Sequence, residues 1–291
     1  MRARLAAGLE EIIPGYDGLV LDLWGTLHDG VRPYPGAVEA LTRLADRRTG
    51  IVALSNAPRR AAEVAASMRA LGLPDTSAAR VMSSGEEAFQ ALAERVDPWY
   101  RRLGRRGFHL GPERDRGMLD NPGFAVARRL EDADFVLVTG LDKPEETEAD
   151  YRPLLAAAAA RGLPMVCANP DYEVIRGDAR ELCAGALARV YEQELGGEVR
   201  WHGKPHPSVF ASALALLPGL DPRRVLVVGD SLRTDIAGAA RAGLASAFIA
   251  GGIALAALGG AWGETPDEAA LARLFAEAGV APDFVLPAFR W

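Results

Sequence analysis

Gly18-Leu19-Val20-Leu21-Asp22-Leu23-Trp24-Gly25-Thr26-Leu27 is a short apolar run that ends in an acid and then turns through a glycine and a threonine. An unbroken apolar run of this length reads as a strand buried on both faces of a parallel sheet, with polar residues at its carboxyl end. The pattern recurs along the chain. Residues 36–47 have helical periodicity through Ala37, Leu41 and Leu44, and Gly50-Ile51-Val52-Ala53-Leu54 is a second strand ending in Ser55-Asn56. A helix over 58–71 follows, with Pro58 at a first-turn position. Far downstream, Pro207 opens a helix through Leu217, and Arg224-Val225-Leu226-Val227-Val228 runs into Gly229-Asp230-Ser231. A helix near 235–242 and a strand near 245–249 complete the series. Such alternation predicts an α/β fold built on a doubly wound, Rossmann-like parallel sheet. Ligands of these sheets bind outside the carboxyl ends of the strands, where Asp22, Ser55 and Asp230 all fall.

The middle of the chain breaks the series. Residues 96–133 carry Pro98, Pro112 and Pro122, many charges and weak periodicity. Two strands, Phe135-Val136-Leu137-Val138 and Met165-Val166-Cys167-Ala168, then flank an alanine-rich helix near 147–161. Residues 97–197 are therefore expected to form an inserted α/β domain, splitting a core made of 1–96 plus 198–291.

Composition narrows the function classes. A length of 291 residues, 49% hydrophobic and 25% charged, describes an ordinary globular protein. The formal net charge of −6 argues against nucleic acid as a partner, since a phosphate backbone demands clustered cations. The densest basic patch, Arg101, Arg102, Arg105 and Arg106, reads better as a solvated face. No apolar run approaches the roughly 18–20 residues that span a bilayer. With no basic-then-apolar leader pattern, the expected location is the cytoplasm. Cys167 and Cys183 lie among apolar residues, without metal-ligand spacing, and read as core positions. Of 33 basic residues only Lys143 and Lys204 are lysine, so a lysine here invites a specific explanation.

Four places carry chemistry. Asp22 at a strand end, followed by Gly25 and Thr26, suits a nucleophile whose neighbours cradle a phosphate. Asp230 and Asp235, five apart across a strand-to-helix loop, can turn oxygens toward one hard cation; magnesium favours a few carboxylates plus water and phosphate oxygens. Ser55, with Asn56 beside it, offers polar groups at the next strand end. Lys204, in His202-Gly203-Lys204-Pro205-His206-Pro207, supplies a compact point charge just before a helix. Read singly, each is equally a turn, cap or surface-loop residue.

In this order the four resemble the motifs of the haloacid dehalogenase (HAD) superfamily. The inserted module resembles the class IIA cap of its nitrophenylphosphatase-like members, and Asn169-Pro170-Asp171 is similar to a substrate-facing cap loop of that class. The resemblance covers nearly the whole chain. It implies a magnesium-dependent phosphohydrolase in which Asp22 forms an aspartyl-phosphate. Mg²⁺ would be held by Asp22, the Trp24 carbonyl, Asp230 and Asp235. Ser55 would bind a phosphate oxygen, and Lys204 would pair with Asp22 and the phosphate. The implied partner is a small phosphorylated metabolite; exposed cap strands leave room for a homodimer.

Trp24 departs from the family pattern. Phosphatases of the superfamily usually place there an aspartate that protonates the leaving alcohol and later activates water. Loss of a general acid–base lowers a rate by about 10²–10⁴-fold. Three readings stay open: a slow enzyme or one restricted to good leaving groups, a proton from His28 or Asp29, or phosphate binding without turnover. Some haloacid dehalogenases place an aromatic residue here and use no metal, but the Asp230/Asp235 pair ranks that chemistry last.

Overall fold

The computed structural model describes residues 3–74, 79–176 and 179–291. By packing, the chain divides into two compact units: residues 1–55, 65–82 and 204–291, and residues 56–64 with 83–203.

The first unit is built on a seven-stranded sheet. Its strand order is Arg4–Leu5, Phe284–Leu286, Ala245–Ile249, Val225–Gly229, Gly18–Leu21, Gly50–Ser55 and Ala79–Ser83. Gly18–Leu21 pairs in parallel with Gly50–Ala53 on one side and Val225–Val228 on the other. Each of these strands is buried on both faces, which is why they read as continuous apolar runs rather than alternating ones. The helices Ala37–Asp46, Pro207–Ala215 and Ala237–Ala242 flank the sheet. Val20, Val52, Val227, Phe210 and Leu217 share one buried cluster. Phe248, Ile236, Leu271 and Val285 form another.

The helix expected from 58 begins later, at Ala61, and runs to Ala70. The Glu86 carboxylate accepts the Ala61 N–H and Glu63 accepts that of Arg60, so the first turn forms there and Pro58 stays in the preceding bend. The helix expected near 235 is preceded by a wide π-helical turn, Leu232–Ile236.

The second unit carries a five-stranded parallel sheet, Val199–Trp201, Met165–Cys167, Phe135–Val138, Arg106–Leu110 and Ala125–Val126. Glu173–Arg176 and Ala179–Leu182 pair antiparallel as a separate two-stranded sheet. Only two of these strands were expected. Arg106-Gly107-Phe108-His109-Leu110 hides its strand character behind an arginine, a glycine and a histidine. The expected domain limits of 97 and 197 also shift. Val199–Trp201 pairs with Met165–Cys167, so it belongs to this sheet and not to the core. Ala88, Phe89 and Leu92 of helix Ser84–Glu94 pack with Phe135, Leu137 and Val166, which draws that helix into the second unit.

Candidate active site

Asp22 continues the strand Gly18–Leu21, and its N–H donates to the Val228 carbonyl at 2.8 Å. The nucleophile candidate is thus tied to the strand that delivers Asp230. Lys204 Nζ donates to Asp22 Oδ1 at 2.5 Å and to Asp235 Oδ1 at 2.7 Å. The other Asp235 oxygen accepts the Ser231 N–H at 3.1 Å, and Asp230 Oδ2 accepts the Ile253 N–H at 2.7 Å. Oxygens of Asp22, Asp230 and Asp235 all lie within 4.8 Å of one another.

All four charged groups are buried. Burial pushes the Asp235 carboxyl up to about 6; the Lys204 charge opposes this and the Asp22 charge adds to it. Asp230 is raised well above the carboxylate range by burial and then by Asp22 and Asp235. Burial would strip the proton from Lys204, but the two carboxylates outweigh it and hold the ammonium charged. Ionised together, the three carboxylates facing one ammonium would leave an excess of two negative charges in a low-dielectric place, which is why Asp230 and Asp235 hold their protons more tightly and what a divalent cation would offset. The donor set is all oxygen, as magnesium requires.

Two phosphate-cradling candidates have other engagements. The Gly25 N–H donates to the His28 carbonyl at 2.9 Å, and a Cβ at this residue would stand 2.0 Å from Asp230 Oδ2. Thr26 is fully buried and donates its hydroxyl to Asp22 Oδ2 at 3.0 Å, orienting the carboxylate. Ser55 ends the neighbouring strand, at the same edge of the sheet as Asp22. In the second unit, Asn56 Nδ2 donates to Asp171 Oδ1 at 3.0 Å, and the Asp171 N–H donates to Asn169 Oδ1 at 2.9 Å. Three of the expected substrate-binding residues therefore form one hydrogen-bonded cluster.

Trp24 begins a tight hairpin in which His28 bridges to both Trp24 and Pro33. Its indole meets the His28 ring edge-on at 5.5 Å between centroids. The two alternative proton donors are turn builders. His28 Nδ1 accepts the Gly30 N–H at 3.0 Å, and burial pushes the imidazole down to about 4 against the pull of Asp29, so it is neutral near pH 7. Asp29 Oδ1 accepts the N–H groups of Val31 and Arg32, both at 2.8 Å. Partial burial works against its charged form, but those bonds and the Arg32 charge hold its carboxyl below the usual range.

Sequence reasoning missed Tyr34, whose hydroxyl is pushed up to about 12 by burial and by the charges of Asp230, Asp29 and Asp22. It also missed the Ile253 N–H, because a backbone donor has no signature in residue type. The arginine patch is taken up locally: Arg101 caps the Val96 carbonyl at 2.6 Å, and Arg102 pairs with Glu198. Burial pushes both cysteine thiols up to about 12, in keeping with core positions. Among the described residues no helix is long and apolar enough to cross a membrane.

A family model described as haloacid dehalogenase-like hydrolase matches residues 16–243. The chain belongs to that family. This HAD hydrolase is 32% identical to a D-glycerol 3-phosphate phosphatase of Mycobacterium tuberculosis over 84% of its own length; it spans 66% of that relative, just under two thirds. A solved haloacid dehalogenase-like hydrolase from Brucella suis is 34% identical, with a TM-score of 0.81 covering 99% of this chain and 100% of the other. A glycerol phosphate phosphatase from Mycobacterium tuberculosis, solved in complex with magnesium, is 30% identical with a TM-score of 0.66, covering 89% and 78% of the two chains. A solved 4-nitrophenylphosphatase from Thermotoga maritima, 24% identical, shares the fold with a TM-score of 0.68 covering 94% of each chain.

Proposed function

We propose that this HAD hydrolase is a magnesium-dependent phosphohydrolase of small phosphorylated metabolites, working through an aspartyl-phosphate on Asp22. The observation that carries the reading is the buried cluster of Asp22, Asp230 and Asp235 with Lys204 ion-paired between two of them. A carboxylate oxygen of Asp22 attacks phosphorus, and the bond from phosphorus to the ester oxygen breaks. The alcohol leaves with the electron pair and takes up a proton. Water then hydrolyses the acyl phosphate, returning Asp22 and releasing inorganic phosphate.

Thr26 and Lys204 hold the Asp22 carboxylate in one orientation, which leaves little rotational freedom to be lost in the transition state. Lys204 also offsets the charge of the incoming phosphate. Asp22, Asp230, Asp235 and the Trp24 carbonyl would hold magnesium, which would supply positive charge against the phosphate oxygens. Ser55 serves as a hydroxyl donor to phosphate, and the Asn56–Asn169–Asp171 cluster as the substrate-recognising part of the cap. The phosphatases among its relatives support the substrate class. Two free cysteines fit a reducing cytoplasm.

A second reading, phosphate binding without turnover, is favoured by one observation. The Trp24 indole N–H is far too weak an acid to protonate the leaving group, and His28 and Asp29 are engaged in the hairpin. Acid-quenched protein, incubated with a phosphate ester and magnesium and then digested, should carry its phosphoryl adduct on the peptide containing Asp22. Asp22→Asn should abolish both adduct and turnover. Turnover by Asp22→Asn overturns the mechanism, and binding with no turnover by the native chain establishes the second reading.

A further inference from the structure

Glu87 is a buried acid in the first turn of helix Ser84–Glu94, with 7% of its surface exposed. Its neighbour Glu86 has an evident task, a paired bond to the Arg60 guanidinium. Glu87 points elsewhere. Its Oε2 accepts the N–H of Gly203 at 3.0 Å, and the same oxygen lies 3.1 Å from His202 Nδ1, within charge-pair distance but out of hydrogen-bond alignment. His202 Nε2 meets the hydroxyl of fully buried Tyr100, which burial keeps protonated. The His202 N–H donates to the Cys167 carbonyl at 3.0 Å. Gly203 is hemmed in as well: a Cβ there would stand 2.6 Å from Asn56 Oδ1 and 2.7 Å from Ser84 Cβ.

The two residues before Lys204 are therefore fixed through both N–H groups and one side chain. Lysine carries its charge on a flexible four-carbon stem, so a precise Nζ position demands a fixed α-carbon. A buried carboxylate is unfavourable unless hydrogen-bonded, and here its bonding goes into the loop that leads to Lys204. We infer that Glu87, together with Tyr100 and acting through His202 and Gly203, is a positioning residue that sets Lys204 between Asp22 and Asp235. The catalytic consequence rests on the function proposed above; the placement of Lys204 does not.

The chain's lysine content supplies the test. Lys143 is exposed and Lys204 is 3% exposed, so acetic anhydride labelling read by mass spectrometry compares them within one sample. In metal-free native protein Lys143 should label readily and Lys204 should be protected. Glu87→Ala should raise Lys204 labelling about tenfold relative to Lys143, while Cys167 and Cys183 stay unreactive to a thiol reagent. Glu87→Gln, which keeps an acceptor for the Gly203 N–H, should restore most of the protection. With substrate, Glu87→Ala should lower kcat by about 10–100-fold at a nearly constant KM. Unchanged Lys204 labelling in Glu87→Ala overturns the inference, as do joint exposure of Lys204 and the thiols or a Glu87→Gln variant no better than the alanine. If Glu87→Ala does not fold, Tyr100→Phe decides: increased Lys204 labelling with protected thiols supports the inference, and unchanged labelling overturns it. Because labelling needs no substrate, a chain without phosphatase activity would overturn the proposed function and leave this placement standing.

Discussion

Gly30 packs directly on the indole of Trp24: a Cβ at Gly30 would lie 2.2 Å from the ring carbon Cη2. The hairpin that carries Trp24 is closed around that contact, with Gly30 at φ +88° and its N–H donated to His28. Gly30→Ala must displace the indole and adopt a left-handed backbone that alanine resists. A loss of about 1–3 kcal/mol in chemical denaturation is expected. A change below about 0.5 kcal/mol would mean that the contact does not hold the hairpin.

The aromatic residue itself predicts a substrate preference. With no aspartate at position 24, aryl phosphates, whose leaving groups tolerate negative charge, should react faster than alkyl phosphates of similar size. Single-turnover kinetics isolate this first step from hydrolysis of the aspartyl-phosphate. Equal rates would point to another acid, to be sought first with His28→Ala and Asp29→Ala. Trp24→Asp, if it folds, should raise the alkyl rate, by as much as about 10²-fold.

Removal of Asp230 takes away one of three converging carboxylates. Calorimetric titration of Asp230→Ala with magnesium should show affinity reduced by at least about tenfold. The side chain also accepts the Ile253 N–H, so Asp230→Asn is the gentler companion variant, keeping the acceptor and losing the charge. Native affinity in both variants would remove Asp230 from the metal site.

A pH effect is expected from Asp115, far from the acid cluster in sequence. This buried carboxyl is pushed up to about 6, chiefly by burial and slightly by Glu63, while Arg114, Arg59 and a hydrogen bond from Thr139 resist. Thr139 in turn meets His109 Nε2 at 2.9 Å. A carboxyl raised on folding stabilises the folded state fully below its unfolded value near 3.8. That contribution is lost as pH rises through about 6. Asp115→Asn should therefore flatten the stability profile between pH 4 and 6 and stabilise the protein at pH 7.5, by up to about 3 kcal/mol. An unaltered profile in denaturant titrations would show that Asp115 is ionised throughout.

The parts of the fold that declared themselves in the sequence are those with unbroken apolar strands. Gly18–Leu21, Gly50–Ser55 and Val225–Gly229 are buried on both faces, so every position reports the same environment, and the acid or hydroxyl that ends each one stands out. Arg106–Leu110 did not declare itself, because exposed Arg106 and half-buried His109 interrupt its apolar positions. In the site, side chains were legible and the use of backbone was not. Nothing in the residue types reveals that the Gly25 N–H serves the hairpin, or that Ile253 and Gly203 donate to Asp230 and Glu87. Glu86 and Glu87 are of a residue type that ordinarily faces water, yet both are buried. An acid pair directly ahead of Ala88-Phe89 was the available signal.

The order of the seven-stranded sheet has a consequence for how the protein is made. The strand that ends in Asp22 has Gly50–Ser55 on one side, but on the other it pairs with Val225–Val228, roughly two hundred residues later in the chain. On the ribosome, then, Asp22 emerges well before its partners Lys204, Asp230 and Asp235. A nascent chain halted before Lys204 has the strand of Asp22 with one edge bare and no counter-charge beside its acid. Closing that central gap in the sheet and assembling the charge cluster are one event, so the protein acquires its chemistry only at the moment it completes its core.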